Sequence, residues 1–215
     1  MKFASQIIRT GLFAITGMLA ATSSAAVVQS NYYSADSQEA FPASATSLIQ
    51  NGAPSLLGAS ATVTPNGGIT PLNDGGTSAI SYLDSTYSVT YVLDTSINTA
   101  GYDLSSISTI SGWTASRIAQ LYSIDYTTVT NASPAQLTSS VSYDPAAEGS
   151  AKVMLTDSSG LLASGVNSIT FNIYNPGFGT VYRELEVEGT PTAVPEPVSM
   201  TFLGLGAVML LRRRR

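Results

Sequence analysis

Between residues 27 and 194 the apolar residues recur at every second position in short runs, and no long stretch repeats them at the three- and four-residue spacing of a helix. Tyr87, Val89, Tyr91 and Leu93 fall on one side with Ser88 and Thr90 on the other; Ile169, Phe171 and Ile173 alternate with Ser168, Thr170 and Asn172. Val181, Leu185 and Val187 alternate with Tyr182, Glu184, Glu186 and Glu188. A period of two over segments of this length marks a strand with one buried face. Weaker runs over 59–64, 104–110, 118–126, 136–143 and 151–155 predict five more strands. Turn-forming clusters punctuate them: Pro65-Asn66-Gly67-Gly68, Asn73-Asp74-Gly75-Gly76, Asp144-Pro145 and Asn175-Pro176-Gly177. Eight or more strands without an internal repeat or a dividing linker predict an all-β fold, one β-sandwich or jelly roll over residues 27–190.

The two ends read differently. Lys2 and Arg9 precede an apolar stretch over 11–21, and small residues lead to Ala25-Ala26. A basic start, a short apolar centre and small residues describe a secretory signal peptide over 1–26, so signal peptidase is an expected partner. At the other end, residues 191–215 hold Pro195-Glu196-Pro197, an uncharged run over 197–211 and then Arg212, Arg213, Arg214 and Arg215. The run is 15 residues long, short of the roughly 20 that span a bilayer comfortably, but thinning of the bilayer and snorkelling arginines let a short transmembrane helix cross. The four arginines hold that end in the cytoplasm. This order of Pro-Glu-Pro motif, Gly-containing apolar segment and terminal Arg cluster resembles the PEP-CTERM sorting signal of exported bacterial proteins. The resemblance implies an inner-membrane-anchored precursor, cut at the motif by an exosortase and released to the cell surface or the extracellular matrix.

Charge sharpens the picture of the body. Residues 27–194 hold three basic residues, Arg117, Lys152 and Arg183, against 13 acidic ones, about −10. Such a body repels phosphate backbones, and nucleic-acid binding is excluded. The chain has no His and no Cys, which removes Ser-His-Asp triads, Cys nucleophiles, haem and iron–sulfur ligation, and the sites zinc prefers. Carboxylate chemistry, Ser-Lys chemistry and oxygen-ligand metals remain. Neither Asp103 with Asp125 nor Lys152 sits in a pattern that points to a catalytic cleft, so the chain is read as no enzyme.

The run Leu72-Asn73-Asp74-Gly75-Gly76, the strand over 88–94, the stretch from Tyr102 through Ser111-Gly112-Trp113 to Arg117, Gln120 and Tyr122, and the closing Tyr182-Arg183-Glu184-Leu185-Glu186-Val187-Glu188-Gly189 resemble the galactose-binding-domain-like sandwiches, the discoidin and carbohydrate-binding-module group. That resemblance implies a structural calcium between Asp74 and Glu184 or Glu186; the competing reading of Glu184, Glu186 and Glu188 is a plain solvated strand face. Trp113 and Arg117 are candidates for a glycan site, a ring plane to stack on a sugar beside a hydrogen-bonding guanidinium. The alternative makes Trp113 a core anchor and pairs Arg117 with an acid. The expected function is a non-catalytic structural or adhesive module in a polysaccharide-rich setting, with a lectin-like carbohydrate-binding module as the alternative.

Overall fold

The structure, a computed structural model, describes residues 26–35, 40–63, 65–113, 115–175 and 179–194. The predicted signal peptide up to residue 25 and the sorting tail from residue 195 on, with Pro195, Glu196, Pro197, Arg212, Arg213, Arg214 and Arg215, lie outside the described residues.

Ten antiparallel strands run along the described chain: β1 (Val27–Ser34), β2 (Leu56–Ala61), β3 (Ser81–Leu83), β4 (Tyr87–Leu93), β5 (Tyr102–Trp113), β6 (Gln120–Thr128), β7 (Asn131–Tyr143), β8 (Gly149–Asp157), β9 (Ala163–Ile173) and β10 (Thr180–Pro191). They pair into two layers, β1-β8-β5-β10-β3 and β7-β6-β9-β4-β2, joined at one corner where Tyr102 and Leu104 of β5 meet Val166 and Ala163 of β9. Among the described residues no helix is long and apolar enough to cross a membrane. Two single 3₁₀ turns, Thr70–Leu72 and Ala115–Ile118, complete the regular structure.

The predicted alternation fills the space between the layers. Val89, Tyr91, Ile124, Ile169 and Phe171 from one layer pack with Leu104, Ile107, Val153, Leu155, Leu185 and Val187 from the other, all fully buried. Tyr91 stands edge-on to Phe171 with centroids 6.1 Å apart, the geometry the ring quadrupoles favour. On the solvent side of the second layer the alternate positions carry short polar groups that bond across strands: Ser88 to Asn172 at 2.6 Å, Thr90 to Thr170 at 2.9 Å, and Asn172 to Asp125 at 2.7 Å. Cross-strand hydroxyl and amide pairs therefore take the place of the ion pairs that a more highly charged sheet would use.

The strands outrun the apolar runs that predict them. The run over 104–110 belongs to a twelve-residue strand, and that over 136–143 to a thirteen-residue one. β1 and β3 are additional to the predicted set. β1 is an edge strand bonded to β8 alone, and its largely exposed positions leave no alternation to read.

The largest correction concerns β10. It is buried on both faces from Thr180 to Val187, so Glu184 and Glu186 are not a solvated face: they are 1% and 2% exposed. The cover is the chain between β1 and β3. Leu48 donates its N–H to the Val187 carbonyl at 2.7 Å, and Ser47 Oγ accepts from Val187 N at 3.0 Å. Glu186 accepts from Ser44 N at 2.5 Å, and Glu188 takes the hydroxyls of Ser44 and Thr46. Asn73 Nδ2 bonds Ile49 O at 2.7 Å, tying this cover to the Asp74 loop. Strand parity places the three glutamates on one face, but it carries no information on a segment more than a hundred residues away that folds over them.

Candidate functional site

At one end of the first layer β5 terminates in Gly112 and Trp113, and the chain turns through Ala115–Ile118 into β6 of the second layer. Buried polar side chains hold this turn. Ser111 Oγ donates to Ile118 O at 2.6 Å, Gln120 Nε2 reaches Ser111 Oγ at 3.0 Å and Ala151 O at 3.1 Å, and Thr180 Oγ1 donates to Ala119 O at 2.7 Å. Thr109 donates to Gln120 Oε1 and shares a 3.0 Å contact with the Tyr122 hydroxyl. With every group of such a network partnered, the backbone that carries Trp113 is rigid.

Trp113 is half-buried instead of belonging to the buried core, and Arg117 is exposed. The Arg117 guanidinium lies 5.0 Å over the ring of Tyr82 in β3, a cation–π contact. The core-anchor reading of Trp113 is therefore set aside. The acid-pairing alternative for Arg117 gains no contact either, since the ion pair between side chains of the described residues joins Lys152 to Glu186 at 3.0 Å. The structure brings Trp113 and Arg117 to the same end of the sheet with Tyr82 as a third member, which the sequence pattern does not single out because the three residues of β3 are too few to show alternation.

The acidic candidates come together under the Asp74 loop. Asp74 is exposed, and its Oδ1 accepts from Gly76 N at 2.8 Å. That bond turns the chain so that Gly75 N faces Glu184 Oε1 at 3.4 Å. Glu184 Oε2 is buried and finds no hydrogen-bond partner among the described residues. Burial is the main cause that raises the Glu184 pKa to about 8; Asp74 and Glu186 add negative charge, and the Gly75 amide offsets only part of this. Glu186, by contrast, is held by Lys152 and Ser44. Among the described residues no three acidic side chains are grouped to hold a metal. Two carboxylates and loop carbonyls remain as the hard-oxygen set a calcium ion takes.

Lys152, Asp103 and Asp125, the other ionisable groups the sequence offers for chemistry, have structural partners. Lys152 is spent on Glu186. Asp103 Oδ1 accepts from Ser164 Oγ at 2.5 Å, Thr192 Oγ1 at 2.6 Å and Gly165 N at 3.3 Å. Burial alone would raise its pKa, and these bonds outweigh it and hold the carboxyl below the usual range. Asp125 bonds Asn172 within the second layer, while Asp103 lies on β5 of the first, so the two aspartates have separate partners. A shallow cleft of about 280 Å³ lined by Asn51, Leu56, Ile69, Thr70 and Asn73 offers neither an aromatic plane nor a charge.

No family model matches the chain, and no curated protein matches it. Among solved structures it is similar to CpGH89CBM32-6 produced by Clostridium perfringens, at 14% identity and a TM-score of 0.45 over 66% of this chain and 98% of that one. It is similar to the F5/8 type C domain of a Bacteroides fragilis protein, at 10% identity and a TM-score of 0.45 over 65% of this chain and 97% of that one. A third similar structure is a mutant lectin binding domain of Lectinolysin complexed with Lewis b, at 11% identity and a TM-score of 0.42 over 71% and 100% of the two chains.

Proposed function

We propose that the β-sandwich is a non-catalytic carbohydrate-binding module of an exported bacterial surface protein, with its glycan site at the end of the first layer where Trp113, Arg117 and Tyr82 gather. The observation that carries this is the half-buried Trp113 at the sheet end where the exposed Arg117 stacks over Tyr82. An indole plane and a guanidinium are the stacking and hydrogen-bonding pair that a sugar ring takes. Of the two readings the sequence supports, this favours the lectin-like one over a purely structural module.

The direction of the chain agrees with display. β10 starts at Thr180, bonded to Ala119 beneath the Trp113 end, and finishes at the opposite end, where Thr192 N donates to Gly101 O at 2.9 Å. Twelve strand residues at about 3.3 Å each separate the rim from the point where the chain leaves for Pro195-Glu196-Pro197 by roughly 36 Å. A tail held by a membrane or passed to another anchor by an exosortase then leaves the rim facing outward. Calcium belongs to the same proposal: Asp74 and Glu184, with loop carbonyls, would hold it and so neutralise the buried orphan carboxylate oxygen.

Glycan-array binding by the wild-type protein and by Trp113→Ala tests the function. The expected result is a sugar-specific signal for the wild type that falls more than about tenfold in the variant, the loss of one stacking contact. A wild type that retains no glycan, or a variant that binds as the wild type does, overturns it.

A further inference from the structure

Exposed and half-buried aromatic side chains lie at the Trp113 end, and they continue past Trp113 toward β1. Trp113 pairs directly with Gly149 of β8. The next strand outward is β1, whose Ser34 pairs with Ser150. Gly149 has φ +138°, and a Cβ there would lie 2.1 Å from the Ser34 carbonyl oxygen. The missing side chain thus lets the end of β1 close down beside Trp113's partner. Tyr33, 41% exposed, reaches over this junction and donates its hydroxyl to Glu148 O at 2.7 Å, one residue before Gly149. Tyr143, half-buried at the end of β7, stands beside it: burial first, and the neighbouring Tyr33 second, push the Tyr143 phenol up. Two strand spacings of about 4.8 Å separate β5 from β1, so the Trp113 and Tyr33 platforms lie on the order of 10 Å apart, more than one sugar ring covers.

Charge differs along this line. Arg117 flanks Trp113 on the β3 side. On the β1 side the exposed acids among the described residues are Asp144 and Glu148, in a body at about −10. A chain of uronic acids would carry one negative charge per ring onto these carboxylates, and a neutral chain carries none.

We propose that Tyr33, backed by Tyr143, is a second stacking subsite of the Trp113 rim, and that the ligand is an uncharged polysaccharide chain gripped at internal units instead of a single terminal sugar. The proposal rests on the glycan-binding reading above, and adds chain length and charge to it. The first subsite supplies ring recognition, and the second adds affinity when the ligand is long enough to reach across Gly149.

The test is calorimetric titration of the wild type, Tyr33→Ala, Tyr33→Phe and Trp113→Ala with one- to six-unit ladders of neutral β-glucan and galactan and with oligogalacturonate. Wild-type affinity for one neutral ladder should rise about tenfold or more between one and four units, the contribution of one added stacking contact. Tyr33→Ala should lose that rise while keeping the affinity for the short sugar. Tyr33→Phe should keep the rise, because it retains the ring and loses only the bond to Glu148. Oligogalacturonate should bind at least about tenfold more weakly than the neutral ladder. Trp113-dependent binding that ignores chain length, a rise that persists in Tyr33→Ala, or equal binding of oligogalacturonate overturns the second subsite and leaves the glycan-binding function standing. Binding of no ladder by the wild type overturns both. Because Tyr33 lies on an edge strand, an unchanged melting temperature of Tyr33→Ala shows that the variant is folded.

Discussion

Replacing Glu184 with Gln should make the calcium-free protein more stable at pH 9. Glu184 is 1% exposed, and one of its carboxylate oxygens has no partner among the described residues. Its pKa is raised from the ordinary 4.5 to about 8, by burial above all. A carboxyl with a raised folded-state pKa binds its proton more tightly folded than unfolded. Its contribution to stability is therefore complete below about pH 4.5 and is lost as pH rises through about 8. Each pH unit in that window costs about 1.4 kcal/mol, which sets a ceiling of roughly 5 kcal/mol for the ionised group in a dry site. Relaxation and water entry lower the realised figure to about 2–4 kcal/mol, or on the order of 4–16 °C in melting temperature for a domain of this size. The window is unusually clean, because the chain has no His and no Cys to titrate within it. Melts from pH 5 to pH 9 in chelator should show the wild-type midpoint falling while that of Glu184→Gln stays nearly level, so that the curves separate as pH rises. Calcium at 100-fold above its dissociation constant should then restore about 2.7 kcal/mol to the wild type at pH 9 and far less to the variant. A wild-type midpoint that is flat between pH 5 and pH 9, with no advantage for Glu184→Gln, refutes the buried-charge reasoning; a wild-type midpoint that ignores calcium at pH 9 refutes the metal.

Two further outcomes follow from other parts of the chain. Gly149→Ala places a Cβ 2.1 Å from Ser34 O at φ +138°, so it should cost about 1–3 kcal/mol and speed amide exchange in β1 first, read by hydrogen-exchange mass spectrometry; β1 amides as protected as in the wild type would contradict the close approach. The mature protein recovered from a host with a working exosortase should lack Arg212, Arg213, Arg214 and Arg215 by mass spectrometry, and a product that retains them contradicts processing at Pro195-Glu196-Pro197.

What the sequence revealed and what it concealed divide along one physical line. Tyr87, Val89, Tyr91 and Leu93 are legible because a strand facing one core alternates, and all four are buried as that alternation requires. β1 is illegible for the opposite reason: an edge strand with solvent on both faces has no periodic demand on its side chains. Glu184 and Glu186 look solvent-facing because glutamate is seldom buried, and what buries them is a remote segment whose own composition of Ser, Ala and Thr marks no element. The site residues show the same division. Trp113 and Arg117 stand out as the only Trp and one of three body cations, whereas Tyr82, Tyr33 and Tyr143 gain meaning only when β3, β1 and β7 end beside them.

Arg183 relates the acidic loop to the aromatic rim. It is 2% exposed and belongs to the irregular step in β10 between Tyr182 and Glu184. Its Nε donates to Gly112 O at 3.0 Å, immediately before Trp113, and its Nη1 donates to Thr77 O at 2.5 Å and approaches Ser78 O at 3.5 Å, just beyond the Asp74 turn. The rigid fork of one guanidinium thus fixes the loop that carries Asp74 against the strand end that carries Trp113, a geometry a lysine ammonium does not reproduce. The charge on Glu184, one residue along β10, bears on the same loop through Gly75. If ionisation of Glu184 loosens the loop, it also loosens the backbone under Trp113; a cation that binds the ionised form tightens both. Coupling of this kind is reciprocal in binding free energy. If both proposed ligands bind, whatever factor calcium adds to glycan affinity the glycan must add to calcium affinity, and Arg183, bonded to Gly112 O and Thr77 O, joins the two segments that would share it.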